Sequence, residues 1–434
     1  MTNNLQKYPK YKPSGVEWLG DIPEHWEATK VKNVFRLVVE PAPKNNDFEL
    51  LSVYTEIGVK PRKELEERGN KASTTDGYWF VKKGDIVVNK LLAWMGAIGV
   101  SDYDGVTSPA YDILRAKVQI NSNYYHYLFR NEVCIAELKK HSRGIMDMRL
   151  RLYFDKFGDI VIPFPDFLTQ QKIVEFLDRK TAQIDQAIAI KIKQIELLKE
   201  RRQILIHQAV TKGIKSDVKM KDSGVEWIGE IPEHWEVKRI KNITSKIGSG
   251  VTPSGGGATY LDSGIPLLRS QNILFGKIEL DGVAYISEKT HESMSNSQVR
   301  KGDILLNITG GSIGRCHFVD FDLSMNVNQH VCIIRPTDKI LSLFLNGILT
   351  SNVGQGQIWF FQQGGGREGL NFQAIKNFLI TLPPKKEQIA ISEYIENISH
   401  KIATAISLKE QEIEKMKEYK SVLINGAVTG KIKV

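Results

Sequence analysis

The side chains best suited to binding another molecule are long polar residues in and near loop-like segments, where they can form hydrogen bonds and ion pairs. Arginine can hydrogen bond to guanine, and asparagine or glutamine to adenine, while lysine and arginine also bind phosphate. The candidate nucleic-acid contacts are Lys90, Arg143, Arg149, Arg151, Arg269, Gln271, Asn272, Arg315, Gln362, Gln363 and Arg367. For Arg149 and Arg367 the alternative is a solvated arginine in a loop before the last strand.

Motifs for catalysis or metal binding are missing from the sequence. There is no GxxxxGK[ST] phosphate-binding loop. Pro383-Pro384 is preceded by Leu382 and followed by Lys385, which does not fit the Asn/Asp-Pro-Pro-aromatic motif of a methyltransferase. The three cysteines form no CxxC pair, so neither a disulfide framework nor a thiolate zinc site is indicated. We therefore predict no catalytic residue, no metal site and no ATP-driven step in this chain.

The chain is a tandem duplication. The string SGVEWLGDIPEHWE at 14–27 returns as SGVEWIGEIPEHWE at 223–236, a shift of 209 positions. KGDIVVN at 83–89 returns as KGDILLN at 301–307, a shift of 218. This period exceeds the roughly 20–50 residues of solenoid repeats, so each copy should be a whole folding module.

The duplication also sorts residues by role. If the two modules bind different targets, they must differ where they contact them, so the segments shared by both copies are assigned to architecture, phosphate contact or partner docking. His25 and His234 in the shared PEHW segments have no second ligand at metal-binding spacing, and we assign them to packing. The shared KGD segments predict a turn into a buried strand. Arg149 and Arg367 coincide under the shift of 218, which favours contact with phosphate over contact with a base.

Composition is that of a globular protein with a basic balance. Lysine and arginine exceed aspartate and glutamate by nine, which favours an anionic partner, although such charge also serves solubility. No run approaches 18 apolar residues and the N-terminus lacks an apolar core, so we expect no membrane span and no signal peptide. Sparse cysteine usage fits a cytoplasmic protein.

Hydrophobic patterning divides the sequence into four blocks. Two blocks mix short β-rich runs with glycine and proline breaks and predict α/β (α+β) modules. Each is followed by a predicted helix of roughly 40 residues, and the first of these contains no glycine or proline. The predicted boundaries are 1–165 and 216–384 for the modules, and 166–215 and 385–434 for the helical blocks.

The two long helices share an apolar seam at heptad spacing. The seam residues are Leu177, Ile184, Ile188, Ile195, Leu198 and Leu205 in the first helix, and Ile395, Ile402, Ile406, Ile413, Met416 and Leu423 in the second. Three polar interruptions fall at the same places in both. So narrow a seam favours pairing of the two helices as an antiparallel, pseudo-twofold coiled coil. The alternative is that each helix folds back on its own α/β module.

The sequence resembles the specificity subunits of type I restriction-modification systems over essentially its whole length. The resemblance lies in the order of its parts: a GVEWLG-type opening, a Pro-containing turn with a Gln-rich helix start (FPDFLTQQKIVEFLD and LPPKKEQIAISEYIE), a long helix, and repetition of the whole. Segments such as GSGVTPSGGG, GSIGRC and MNVNQHV also resemble pieces of the family's recognition domains.

The resemblance implies a function and partners. The α/β modules would be target recognition domains, each reading half of an interrupted site in double-stranded DNA, and the helices would be a spacer on which two modification (methyltransferase) subunits dock. Restriction subunits would complete the complex, and S-adenosylmethionine, ATP and Mg would be bound by partners and not by this chain. The protein would be cytoplasmic, in a bacterial or archaeal nucleoid, and not an enzyme itself. Two alternatives are a free-standing DNA-binding regulator and a coiled-coil scaffold unrelated to DNA.

Overall fold

The computed structural model describes residues 6–64, 75, 77–144, 150–253, 260–362 and 369–434. The chain forms two compact units. Unit 1 comprises Met1–Lys191 and Glu410–Val434, and unit 2 comprises Ile192–Lys409. The boundary between the units falls inside both long helices, so each unit contains one α/β module and half of each helix.

Unit 1 is built on a four-stranded antiparallel sheet in the order β4-β11-β8-β9. Its helices α2 and α3 start at Asn121 and Asn131, whose side chains accept hydrogen bonds from the first turn. The strands of this unit are β1 (Tyr11–Pro13), β2 (Asp21–Pro23), β3 (Glu27–Lys30), β4 (Phe35–Val38), β5 (Leu51–Tyr54), β6 (Gly58–Pro61), β7 (Trp79–Val81), β8 (Ile86–Asn89), β9 (Ile98–Val100), β10 (Gly105–Thr107), β11 (Tyr111–Ala116) and β12 (Val161–Phe164). The helices are α1 (Val31–Val34), α2 (Ser122–Arg130), α3 (Glu132–His141), α4 (Phe154–Phe157) and α5 (Phe167–Lys212), which continues into unit 2.

Unit 2 repeats the same sheet as β16-β24-β21-β22 and adds a three-stranded sheet in the order β20-β17-β23. Its strands are β13 (Met220–Asp222), β14 (Glu230–Pro232), β15 (Glu236–Arg239), β16 (Thr244–Ser249), β17 (Ile265–Leu268), β18 (Ile273–Leu274), β19 (Lys277–Ile278), β20 (Ala284–Ile286), β21 (Ile304–Asn307), β22 (Cys316–Phe318), β23 (Asn326–Val327), β24 (Val331–Pro336) and β25 (Leu379–Leu382). Its helices are α6 (Glu288–Ser293), α7 (Ser342–Thr350), α8 (Asn352–Gln362), α9 (Phe372–Lys376) and α10 (Lys385–Val428), which continues into unit 1. The predicted α/β fold with two long helices is therefore confirmed.

The repeated PEHW segment anchors each module to the strand that precedes its long helix. β3 pairs with β12 in unit 1, and β15 pairs with β25 in unit 2. Trp26 and Trp235 are fully buried. The neighbouring His25 and His234 are exposed, and no group of three metal-ligating side chains occurs among the described residues. The shared segment is thus architectural, with the tryptophan as its core residue.

The shared KGD segment forms the predicted turn into a buried strand. All four residues of β8 and of β21 are buried. Each strand is preceded by a buried aspartate that binds an arginine through two hydrogen bonds. Asp85 accepts from Arg115 at 2.8 and 2.7 Å, and Asp303 accepts from Arg335 at 2.7 and 2.8 Å. The buried carboxylate is compensated in both copies, which explains why the acidic residue is retained.

The two long helices run antiparallel where they meet. In unit 1 the side chain of Lys420 contacts Asp185, and Glu412 contacts Lys191, so the residue number falls along α10 as it rises along α5. In unit 2 Lys409 contacts Gln194. None of the described helices is long and apolar enough to cross a membrane.

Candidate nucleic-acid interface and helix pair

Two candidate arginines of unit 1, Arg143 and Arg151, lie side by side. Their backbones exchange two hydrogen bonds of 2.9 Å in an isolated antiparallel bridge. Both side chains are exposed. Arg143 lies 3.7 Å from the exposed carboxylate of Asp155, and Arg151 lies 3.5 Å from the hydroxyl of Tyr153. Exposed pairs of this kind contribute little, so both guanidinium groups are available to an anionic partner.

Lys90 is engaged inside unit 1. Its Nζ donates to the carbonyl oxygen of Pro109 at 2.9 Å and lies 3.3 Å from the carboxylate of Asp112. Burial raises the pKa of Asp112, and the charge of Lys90 opposes part of that rise. Lys90 therefore neutralises a half-buried carboxylate. Its contact with nucleic acid stays a prediction, and contact would have to compete with this pair.

Three candidates of unit 2 share one turn. The guanidinium carbon of Arg269 lies 5.8 Å from the ring centroid of Tyr260, a cation–π contact. Asn272 is 2% exposed; its Oδ1 accepts from the N–H of Arg269 at 3.0 Å, and its Nδ2 donates to the carbonyl oxygen of Glu279 at 3.0 Å. Asn272 thus holds the turn, while Gln271 is exposed on it. The sequence could not distinguish the amide that builds the turn from the amide that projects.

The remaining candidates are less well placed or lie outside the described residues. Arg315 is half-buried immediately before the hairpin strand β22, and Gln362 is half-buried at the end of α8. Arg149, Gln363 and Arg367 lie outside the described residues, and with them the predicted equivalence of Arg149 and Arg367 as phosphate contacts.

Two exposed aromatic residues were not among the predicted contacts. Trp359 is 69% exposed and Phe360 is 61% exposed, both in the last turns of α8. Under a shift of 220, the equivalent positions at the end of α3 are Lys139 and Lys140. The signal was present in the sequence, because a helix cannot bury three consecutive aromatic residues on one face. The two modules therefore present different chemistry at the same helix end.

Every residue of the predicted seam is buried or half-buried. Leu177, Ile195, Ile395, Ile402, Ile413 and Leu423 are buried, and Ile184, Ile188, Leu198, Leu205, Ile406 and Met416 are half-buried. In unit 1 the first half of α5 joins the second half of α10 in one hydrophobic core, and in unit 2 the second half of α5 joins the first half of α10. Each helix therefore contributes to the cores of both modules.

Polar interruptions of the seam form matched contacts. Lys191 and Lys409 are equivalent under the shift of 218, and so are Gln194 and Glu412. In unit 1 Lys191 pairs with Glu412, and in unit 2 Lys409 donates to Gln194 at 2.7 Å. Polar groups at seam positions fix the register of paired helices. The duplicated contact thus sets the same register in both units.

Comparison with known proteins places these features in a family. The family model described as "Type I restriction modification DNA specificity domain" matches residues 23–197 and 232–415. The MjaVIII specificity subunit of Methanocaldococcus jannaschii is 25% identical over 426 residues, covering 95% of this chain and 94% of the relative. The EcoBI specificity subunit of Escherichia coli is 33% identical over 264 residues, covering 58% of this chain and 54% of the relative.

Solved structures show the same fold. The HsdS subunit of Thermoanaerobacter tengcongensis aligns with a TM-score of 0.56 at 15% identity, over 95% of this chain and 98% of that one. A chain from a type I R-M system solved to describe complex assembly and conformational transition aligns with a TM-score of 0.72 at 14% identity, over 94% of this chain and 98% of that one. Two matches to the same domain model, one in each half, agree with the duplicated sheet and the paired helices. The chain therefore belongs to the type I restriction-modification DNA specificity family, as a specificity subunit with two tandem recognition domains.

Proposed function

We propose that each α/β module reads one half of an interrupted DNA site and that the helix pair sets the distance between the halves. Two recognition modules that bind one duplex must approach the same face of the DNA. This requires the centres of the half-sites to lie about one helical turn apart, roughly 10 base pairs. The base pairs in between would remain unread.

The observation that carries this proposal is the contrast between shared architecture and divergent exposed groups. The sheet, the buried tryptophan and the buried Asp–Arg pair recur in both units. The candidate contacts differ: among those in the described residues, the exposed ones are Arg143 and Arg151 in unit 1 and Gln271 in unit 2. Arginine favours guanine or phosphate and glutamine favours adenine, so the two half-sites should differ.

We assign the chemistry to partner subunits. Specificity subunits are non-catalytic and work with the other subunits of their system and with DNA. The helix pair would dock two methyltransferase subunits, which bind S-adenosylmethionine and methylate adenine. Restriction subunits would bind ATP and Mg and cleave DNA. The chain would then act in the cytoplasm, at the nucleoid.

Methylome sequencing tests the proposal directly. Deleting this chain should remove one bipartite methyl-adenine motif, and restoring it together with its methyltransferase partner should return that motif. Replacing Arg143 and Arg151 with alanine should weaken or relax one half of the motif and leave the other half unchanged. A methylome unaffected by the deletion would refute the assignment.

Binding assays on the purified chain separate the remaining outcomes. Tight, sequence-specific DNA binding without any partner would indicate a free-standing regulator. Absence of salt-dependent DNA affinity, both alone and with methyltransferase subunits, would indicate a scaffold unrelated to DNA.

A further inference from the structure

A cleft of about 330 Å³ opens in unit 2 where helix α7 meets the two long helices. Its polar lining comes from four parts of the unit: helices α5, α7 and α10, and the segment that contains strand β22. The polar residues that matter here are Arg202, Gln203, His317, Asp320, Asn346 and Glu396.

Three side-chain atoms in this cleft are buried without a partner. Among the described residues, Gln203 Oε1, His317 Nδ1 and Asn346 Oδ1 have no hydrogen-bond partner. Asn346 is 9% exposed, so its amide is more than nine-tenths buried. Buried polar atoms are nearly always paired, because an unpaired one has lost its water without a replacement. Three such atoms in one cleft point to a ligand that brings several hydrogen-bonding groups.

The charges of the cleft favour a cation. An amide can present either its oxygen or its nitrogen by rotation, so the charged residues decide the sign. The lining contains two carboxylates, Asp320 and Glu396, and one guanidinium, Arg202, which gives a formal charge of −1. Burial lowers the pKa of His317, and nearby Asp320 only partly opposes this, so the imidazole is neutral at pH 7 and adds no positive charge.

At the equivalent place in unit 1 an arginine of the chain itself lines the cleft. Helices α2 and α7 are equivalent and equally long, and Arg130 at the end of α2 corresponds to Thr350 at the end of α7. Both residues line their clefts. The guanidinium of Arg130 donates to four carbonyl oxygens, those of Tyr54, Thr55, Gly96 and Ile98, at 2.9 to 3.3 Å. Unit 1 thus has its own guanidinium at this place, satisfied by backbone carbonyls beside the cleft, whereas unit 2 has none at the equivalent position.

We propose that the unit 2 cleft binds the guanidinium group of an arginine side chain from a protein partner. Guanidinium carries five N–H donors in a fixed plane and one positive charge, which suits two carboxylates together with unpaired amide oxygens. The identity of the partner, a methyltransferase subunit docked on the helix pair, rests on the proposed function. The inference that the cleft binds a guanidinium group is independent of the proposed function.

The first experiment tests the cleft without any partner. Ethylguanidinium is titrated into the full chain and followed by ligand-observed NMR, with tetramethylammonium as a cation of equal charge without N–H donors. We expect saturable binding of ethylguanidinium alone. The double variant Asp320→Asn/Glu396→Gln, at two exposed positions, should weaken binding at least tenfold. Thr350→Arg, which adds a positive charge to the lining of the cleft, should also weaken binding.

Two results would overturn the cleft assignment. One is ethylguanidinium binding that is no stronger than tetramethylammonium binding, as expected if the cleft holds only water. The other is unchanged binding in the double carboxylate variant. The double variant keeps the test valid even if Thr350→Arg fails to fold.

The second experiment tests the partner. The chain is co-purified with its methyltransferase subunit, and Thr350→Arg should weaken assembly at least tenfold in a competition against the wild-type chain. Probe binding with unchanged assembly would refute the methyltransferase as the source of the arginine. Probe binding without any methyltransferase complex would refute the proposed function and leave the guanidinium site in place.

Discussion

The two copies of the buried tryptophan differ by one hydrogen bond, and the difference can be tested. Trp235 Nε1 donates to the carboxylate of Glu387 at 2.9 Å. Trp26 Nε1 has no hydrogen-bond partner in the described part of the chain. The reason lies in the sequence, since the residue equivalent to Glu387 under the shift of 218 is Thr169. Replacing Glu387 with threonine would therefore give unit 2 the arrangement of unit 1.

The magnitude follows from the contacts that are lost. Glu387 accepts from Trp235 and lies 2.7 Å from His234 Nε2. A hydrogen bond to a charged group contributes about 1.5–3 kcal/mol. The Glu387 side chain is 31% exposed, so water screens part of this and we expect a loss near the lower end, about 1.5 kcal/mol. For a unit of this size, each 1 kcal/mol lowers Tm by roughly 2–4 °C, so the expected fall is about 3–6 °C.

The effect should depend on pH in a defined direction. Burial pushes the pKa of Glu387 up, but the hydrogen bonds from Trp235 and His234 outweigh burial and hold the pKa below its usual 4.5. A carboxyl group with a depressed pKa contributes its stabilisation above the unfolded-state pKa and loses it as the pH falls through the folded-state pKa. The difference between wild type and Glu387→Thr should thus be full near pH 7 and shrink below about pH 4.5.

The assay is calorimetric unfolding of the full chain, with two controls on the same helix. Glu393→Thr removes an exposed glutamate and should change stability by less than about 0.5 kcal/mol. Glu387→Gln keeps an acceptor for Trp235 but removes the charge, and should lose less than the threonine variant. If Glu387→Thr unfolds at the same temperature as Glu393→Thr, the tryptophan bond makes no contribution and the reasoning fails.

Three further predictions follow from the contacts above. Replacing Arg143 and Arg151 with alanine should lower DNA affinity and reduce the slope of log K against log salt by about 2 if both contact phosphate, as measured by fluorescence anisotropy; an unchanged slope would remove both from the interface. Asp303→Asn leaves the charge of Arg335 without its carboxylate and should cost about 3 kcal/mol in urea unfolding, with a loss under about 1 kcal/mol arguing against the buried pair. Leu423→Ala, in the fully buried part of the seam, should cost about 2–5 kcal/mol, and unaltered stability would show that the helices do not depend on each other there.

The features that recur in the sequence were predictable. The duplicated strings located the architectural core, because residues kept in both copies are those that the shared fold needs. The heptad spacing of the long helices gave their pairing, since an apolar seam must meet another apolar surface. The structure places α5 and α10 at Phe167–Lys212 and Lys385–Val428, inside the helical blocks 166–215 and 385–434 that the patterning indicated.

The partners of individual polar side chains could not be predicted from the sequence. Lys90 and Asn272 looked like surface contacts in the sequence, but one pairs with a half-buried carboxylate and the other holds a turn. In both cases the partner is supplied by another segment, Asp112 on the paired strand and Glu279 seven residues on, so residue type alone carried no information. The sequence blocks treated each long helix as a separate unit, whereas in the structure the two halves of each helix join the hydrophobic cores of different modules.

The differences between the copies are more informative than their similarities. One backbone arrangement is built twice, so a polar group that is paired in one copy and unpaired in the other cannot be required by the fold itself. Trp26 lacks the acceptor that Glu387 gives Trp235, and the unit 2 cleft has Thr350 where unit 1 has Arg130. The first difference lowers stability but cannot serve binding, because Trp26 is fully buried and no other molecule can reach its indole N–H. The second lies in an open cleft beside the helix pair, where another molecule can supply the missing group, and for that reason it marks a place of contact while the first does not.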